Sequence, residues 1–329
     1  MRRRKLLTRL IPAAVAIAAV ISAVMPASYC PRAWSQPAIT IKMIVPNAPG
    51  GGIDSAARLL ARQIGQTHQA TVIVENRPGA GGVIGTEDVA RATPDGNTLL
   101  FDAGNLIVNA QVRAVHYNPL TSFDPICNLI AAPNLIVVNG SSPFGTLADL
   151  VNAARAKPSE LTLASSGPAT ALQIEFEKFK RAADINMTFV PYRGTAPAVE
   201  ALLGGHVTSA IAGISVVEEQ LNAGTLRALA AGTRIETLPG VPTLAESGYG
   251  SAAYEGWEGL FAPAGTPKEK LAQLAEWFTA AMRASDVKPR LIAQGLFPAG
   301  ICGTDFATFL RKEYDDTGLI VREANIKAQ

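Results

Sequence analysis

Ile39-Thr40-Ile41-Lys42-Met43-Ile44-Val45-Pro46-Asn47-Ala48-Pro49-Gly50-Gly51-Gly52-Ile53-Asp54 is the stretch on which the fold turns. Its first seven residues are largely apolar and rich in β-branched side chains, which predicts a strand. Pro46 stops that strand, the glycines turn the chain, and a helical pattern follows with Ala57, Leu60 and Ile64 on one face. The same order then repeats. Residues 71–75 read as a second strand, ending at Asn76-Arg77-Pro78-Gly79-Ala80-Gly81-Gly82, and a helix runs to about residue 92. Pro94-Asp95-Gly96 turns the chain into a third strand at 98–101. Repeated strand–turn–helix units imply an α/β fold with a parallel sheet covered on both faces.

The pattern restarts after Pro133 with an apolar strand at Asn134–Asn139 and a helix at Leu147–Ala156. Strands at 161–164, 187–190, 207–211 and 226–230 follow, with helices at 170–183 and 196–203 between them. A short apolar strand at 259–263 leads into long helices at 268–284 and 305–322, the second with Phe306, Phe309, Leu310 and Tyr314 as an apolar stripe. Two successive α/β blocks with a helical tail predict two lobes, with the strands near Val138 and Phe261 as the crossings.

The 329 residues are 48% hydrophobic and 17% charged, the balance of a folded globule. The amino terminus reads as a leader: Arg2, Arg3, Arg4 and Lys5, an apolar run over residues 10–25, then Ala33-Trp34-Ser35 as a small-x-small cleavage pattern. The run falls short of the ~20 residues of a comfortable membrane span and carries Pro12. Removing residues 1–35 takes away six of the 29 basic residues and none of the 27 acidic ones, leaving a net charge of −4. That balance, with 6% aromatics, excludes a nucleic-acid binder. Of the cysteines left, Cys127 and Cys302, both sit in apolar sequence, which favours free buried thiols, though export would permit a disulfide.

The loop at 46–54 lies between a strand and a helix. Its glycines let backbone N–H groups approach a ligand, and the helix start adds a positive dipole end, so the loop suits an anion such as a carboxylate. Asn47, Ala48, Gly51 and Gly52 are the candidate contacts; Asp54, in the first helical turn, is also a candidate, though its position favours a structural role, accepting hydrogen bonds from free N–H groups. Gly79, Ala80 and Gly81 stand in the equivalent place after the second strand. Their run misses a dinucleotide fingerprint by one position and follows the wrong strand. Two such loops at adjacent strand ends instead make one wall of a cleft. In the middle block Ser165 and Ser166, with Thr170, and then Gly194 and Thr195, follow strands and open helices, giving an opposing wall. Catalytic patterns are thin: His68, His116 and His206 lie in separate segments, and no Gly-x-Ser-x-Gly elbow, Walker loop, HExxH or CxxC occurs. No cofactor or metal is expected.

Together these residues resemble the Bug family, the extracytoplasmic receptors of tripartite tricarboxylate transporters. The resemblance rests on Val45-Pro46 with Pro49-Gly50-Gly51-Gly52-Ile53-Asp54 and Ala57-Arg58, and on Glu75-Asn76-Arg77-Pro78-Gly79-Ala80-Gly81-Gly82. Pro94-Asp95-Gly96, Val190-Pro191-Tyr192-Arg193-Gly194, Leu202-Leu203-Gly204-Gly205, Leu226-Arg227-Ala228-Leu229-Ala230, Val241-Pro242-Thr243 and residues 259–267 extend it in order over nearly the whole mature chain. It implies a two-lobed periplasmic-binding-protein fold of the Venus-flytrap, type II-like kind. Residues 1–35 are then a signal peptide, 36–138 with 261–329 a discontinuous first domain, and 139–260 the second. It also implies a monomeric periplasmic receptor that holds a small organic acid largely through backbone N–H groups and passes it to transporter membrane subunits, with no nucleic acid as partner and no enzymatic activity. A hydrolase using Ser165 or Ser166, or a binding fold turned to sensing, are the alternatives. Thr208 and Ala212 stand where the family usually carries aspartates. If they face the cleft, their lack of charge predicts a preference for carboxylates without an amino group. Ala169, Gln173 and Asn47 depart from the family pattern as well.

Overall fold

The computed structural model describes residues 39–327, so the leader and its cleavage site lie outside the described residues. In chain order the first block comprises β1 (Ile39–Val45), α1 (Gly52–Thr67), β2 (Ala70–Asn76), α2 (Val83–Ala90), β3 (Thr98–Ala103), α3 (Asn105–Val112) and β4 (Phe123–Ala132). The second holds β5 (Asn134–Asn139), α4 (Leu147–Ala156), β6 (Thr162–Ser166), α5 (Ala171–Ala183), β7 (Thr188–Tyr192), α6 (Thr195–Leu203), β8 (Ser209–Gly213), α7 (Ile214–Asn222) and β9 (Leu226–Ala231). The tail adds β10 (Gly256–Pro263), α8 (Lys268–Arg283), α9 (Lys288–Ile292), β11 (Phe297–Cys302) and α10 (Gly303–Glu323).

Two sheets result, in the orders β11-β4-β10-β3-β1-β2 and β7-β6-β8-β5-β9. Across helical connections β1 runs parallel to β2 and β3, and β6 runs parallel to β7 and β8. The returning strands β10 and β5 pair antiparallel with their neighbours, so each sheet is mixed. Both sheets are covered on both faces, which is why their strands are near-continuous apolar runs. On one side of the first sheet Met43 and Phe101 pack against Leu60 and Ile64 of α1 and Phe278 of α8. On the other, Ile44 and Leu100 meet Val89 of α2, Leu106 of α3 and Phe306 of α10. In the second sheet, Ile136 and Val138 face α4 and α5 while Leu135 and Val137 face α6 and α7.

Pro133 alone separates β4 from β5, and the chain changes sheet there. Proline has no N–H to continue a ladder, so a run of apolar residues through it divides between two sheets. Residues 134–138, placed above with the first domain, therefore pair in the second sheet, and residues 256–260, placed with the second, pair in the first. Helices also link the sheets: Val108 of α3, Ile174 of α5 and Ile320 and Val321 of α10 share one apolar cluster. Among the described residues no helix is long and apolar enough to cross a membrane.

Cys127 and Cys302 are disulfide-bonded, which corrects the expectation of free thiols. They are direct partners in the antiparallel pairing of β4 with β11, a proximity that a separation of 175 residues hides in the sequence. Three carboxyl groups are buried near the strands that join the sheets. Glu175 accepts from Asn134 Nδ2 at 3.0 Å, Asp102 accepts from the Ala103 N–H and Thr86 Oγ1, and Glu258 Oε2 has no partner. Burial pushes Asp102 up to about 7, and Glu175 and Glu258 each to about 8.

Two outcomes follow from this packing. Because the bond closes so long a loop, reducing it should destabilise the protein by ~2–5 kcal/mol; equal melting temperatures with and without reductant would show that it contributes nothing. Glu258 favours its neutral form in the fold, so the folded protein binds more protons than the unfolded chain between the ordinary value of 4.5 and about 8. Its contribution is therefore present at low pH and lost as pH rises through that window. Glu258→Gln should melt above wild type at pH 8 and close to it at pH 5, and a difference independent of pH would mean that Glu258 is ionised in the fold.

Candidate functional site

The loop after β1 owes its shape to one buried carboxylate. Asp54 is 3% exposed and accepts from the Gly50 N–H at 2.9 Å, from Asn76 Nδ2 at 2.9 Å and from Arg58 Nε at 3.1 Å. Burial pushes its pKa up, but Arg58, the Gly50 N–H and Asn76 outweigh that and hold the carboxyl below its usual range. Asn76 also donates to the Asn47 carbonyl, so the end of β2 is tied to the loop after β1. Asp54 thus acts on the loop from behind. Ala48, Gly51 and Gly52 are exposed and Asn47 is half-buried. A Cβ placed on Gly51 or Gly52 would meet nothing within 4 Å, so both open onto free space.

The second loop packs against the first. A Cβ on Gly82 would stand 3.4 Å from the Pro46 carbonyl oxygen, and one on Gly85 only 2.7 Å from that of Arg77. Gly79, Ala80, Gly81 and Gly82 all have positive φ, a run that three glycines make accessible. Ala80 and Gly81 are exposed, and Asn109 Nδ2 holds the Gly81 carbonyl at 2.9 Å. A third strand-end contributes Gly104 and Asn105, whose Oδ1 accepts from the Ala171 N–H at 3.2 Å and so links the first sheet's loops to the start of α5.

In the second sheet Ser165 is fully buried and donates to the Ile211 carbonyl, so its hydroxyl is held inside the fold. Ser166 is half-buried at the end of β6. Thr170 caps α5, accepting from the Gln173 N–H and donating to the Ser166 carbonyl. Gly194 precedes α6, of which Thr195 is the first residue. Thr208 lies at the opposite end of its strand from these loops, bonded to Thr162, and Ala212 is fully buried in the core. Neither faces the cleft, so the expectation about amino groups loses its basis. His68 stacks on Trp277, and no cluster of metal-ligating side chains occurs among the described residues.

Glycine N-caps gather on the strand-end side. α4 carries a complete capping box from Thr146 and Asp149. By contrast α1, α2, α3, α6 and α7 begin behind Gly51, Gly82, Gly104, Gly194 and Gly213, with no side-chain cap. Each follows the carboxyl end of a strand, where open α/β sheets bind ligands, and each leaves helix N–H groups without a side-chain acceptor. Gly104, Asn105 and Gly213 escaped the sequence reading, although a glycine between strand and helix was their signal.

The family model described as "Tripartite tricarboxylate transporter family receptor" matches residues 56–326. The chain belongs to this family. Protein BugT of Bordetella pertussis is 34% identical over 298 residues, covering 88% of this chain and 91% of its own. Two solved structures from Rhodopseudomonas palustris share the fold. Rpa4515, determined with adipate, is 29% identical with a TM-score of 0.76, covering 89% of this chain and 99% of its own. MatC, determined with bound malate, is 28% identical with a TM-score of 0.72, covering 87% and 99%. The protein is accordingly a periplasmic solute-binding receptor of the tripartite tricarboxylate transporter family, and not an enzyme.

In this receptor Asp54 fixes the first loop without reaching its open side. Asp54→Ala would leave the Gly50 N–H and Asn76 without their acceptor and should cost ~1–3 kcal/mol of stability. Denaturant unfolding checks this: a loss below ~0.5 kcal/mol would mean that the loop keeps its shape unaided.

Proposed function

We propose that this receptor holds a small carboxylate between the strand-end loops of its two sheets and passes it to the membrane subunits of a tripartite transporter. The observation that carries the reading is the set of glycine-capped helix starts at the carboxyl ends of parallel strands. Free N–H groups at a helix start favour an anion through hydrogen bonds and the dipole together. The adipate and malate held by two relatives of the same fold support a carboxylate as that anion.

The contacts are Asn47, Ala48, Gly51 and Gly52 of the first loop, Gly79, Ala80 and Gly81 of the second, and Ser166, Thr170, Gly194 and Thr195 opposite. Asp54 and Ser165 support these loops from within. The first lobe comprises β1 to β4 with β10 and β11, and the second β5 to β9; they close by rotation about Pro133 and the return from β9 to β10. The leader at residues 1–35 directs export and is removed. Capture and release by such a receptor shift a balance between open and closed forms, so ligand contacts must span both lobes.

Thermal shift across a panel of organic acids tests the reading. A ligand at ~100 times its dissociation constant should add ~2.7 kcal/mol of stability. Gly51→Val is a clean probe, since Gly51 has φ −79° and open space where a side chain would go. It should keep the wild-type melting temperature in buffer and lose the shift. Stabilisation by no acid, or a full shift in folded Gly51→Val, would respectively defeat the ligand class and the placement of the site.

A further inference from the structure

Beside the second loop stands a cation that no carboxylate among the described residues pairs with. Arg113 follows α3, and its guanidinium reaches Gly81: a Cβ on that glycine would lie 3.5 Å from Nη2 and 3.7 Å from Cζ. Its Nε is buried with no hydrogen-bond partner, and Arg113 forms no ion pair among the described residues. The neighbouring arginines differ. Arg58 is paired with Asp54, Arg77 with Glu75 and Asp88, and Arg91 with Glu87 and Asp88. The Gly81 carbonyl is no partner for Arg113 either, because Asn109 Nδ2 already holds it. Glu87 and Asp102, which act on Tyr117 in the sense opposite to Arg113, are bonded elsewhere: Glu87 to Arg91 and the His116 N–H, Asp102 to Thr86 and the Ala103 N–H. A guanidinium is a planar fork of donors matched to a carboxylate, and one left unpaired beside a glycine loop has a vacant complement.

We propose that Arg113 binds a carboxylate of the ligand at residues 79–82, making this receptor selective for dicarboxylates. The loops at 46–52 and 79–82 touch through Pro46 and Gly82, and in the proposed mode a diacid places one carboxylate at the start of α1 and the other at Arg113. The proposal rests on the carboxylate reading above and names the subsite that reading lacks.

Calorimetry on ligand-stripped protein with adipate and its monomethyl ester is the test, with thermal melts to establish folding. Wild type should prefer adipate. Arg113→Gln should weaken adipate about 10- to 100-fold, leave the ester nearly unchanged and flatten the dependence of adipate affinity on salt. Arg113→Lys keeps the charge without the fork and should retain part of the preference, a pattern that a merely structural role would not produce. Unchanged adipate affinity in folded Arg113→Gln, or equal losses for adipate and ester, overturns the proposal and leaves the receptor reading standing. A wild type that binds no acid of the panel overturns both. Should Arg113→Gln fail to fold, the Lys variant decides: a reduced discrimination between adipate and ester supports the fork, and full retention of affinity and discrimination refutes it.

Discussion

A carboxylate with almost no exposed surface, that of Asp54, holds together the end of the molecule at which ligands are bound in this class of sheet. It gathers the Gly50 N–H, the Asn76 amide and the Arg58 guanidinium at hydrogen-bonding distance. An ionised group in such a place is tolerated only when its oxygens are satisfied, and here three donors satisfy them. The consequence is geometric. With Gly50 drawn inward and Asn76 bridging to the Asn47 carbonyl, Gly51 and Gly52 turn outward and α1 begins with nothing over its first N–H groups. A negative charge inside the wall thus shapes a surface suited to a negative ligand, and Arg58 neutralises it at source.

The same economy of side chains runs through the strand ends. Threonine and aspartate close the start of α4, whereas α1, α6 and α7, each following the carboxyl end of a parallel strand, are preceded by glycine. α5 departs from this rule, since Thr170 caps it and Asn105 accepts its Ala171 N–H from the other sheet. That contact, with the apolar cluster of Val108, Ile174 and Ile320, joins the lobes beside the crossing strands. The two sheets otherwise keep separate cores, and packed cores resist continuous deformation.

Local pattern made much of this legible. β1, β5 and α4 have the bounds that apolar alternation and proline punctuation predict, and Ala57, Leu60 and Ile64 are all fully buried. α3 and β4 were not legible. Leu106, Ile107 and Val108 form an apolar run that reads as neither period, and they are helical because two different clusters bury opposite sides of them. In β4, Pro125 and Asn128 interrupt the alternation, and the strand persists because β10 and β11 pair on either side of it.

The sequence by itself determined most of the order of strands and helices, the glycines of the loops after β1, β2 and β7 and the leader's composition, since each depends on neighbours a few residues away. Only the tertiary structure decided the rest, because it depends on residues far apart in the chain. Cys127 meets Cys302 across 175 residues, so no local signal distinguishes a bond from two thiols. Ser165 looks like a site hydroxyl until the fold brings the Ile211 carbonyl to it. Thr208 and Ala212 look like altered cleft residues until the strand's direction and the core claim them. Arg113 shows nothing in sequence, because what marks it is the absence of a partner, and that exists only once every nearby carboxylate has been placed.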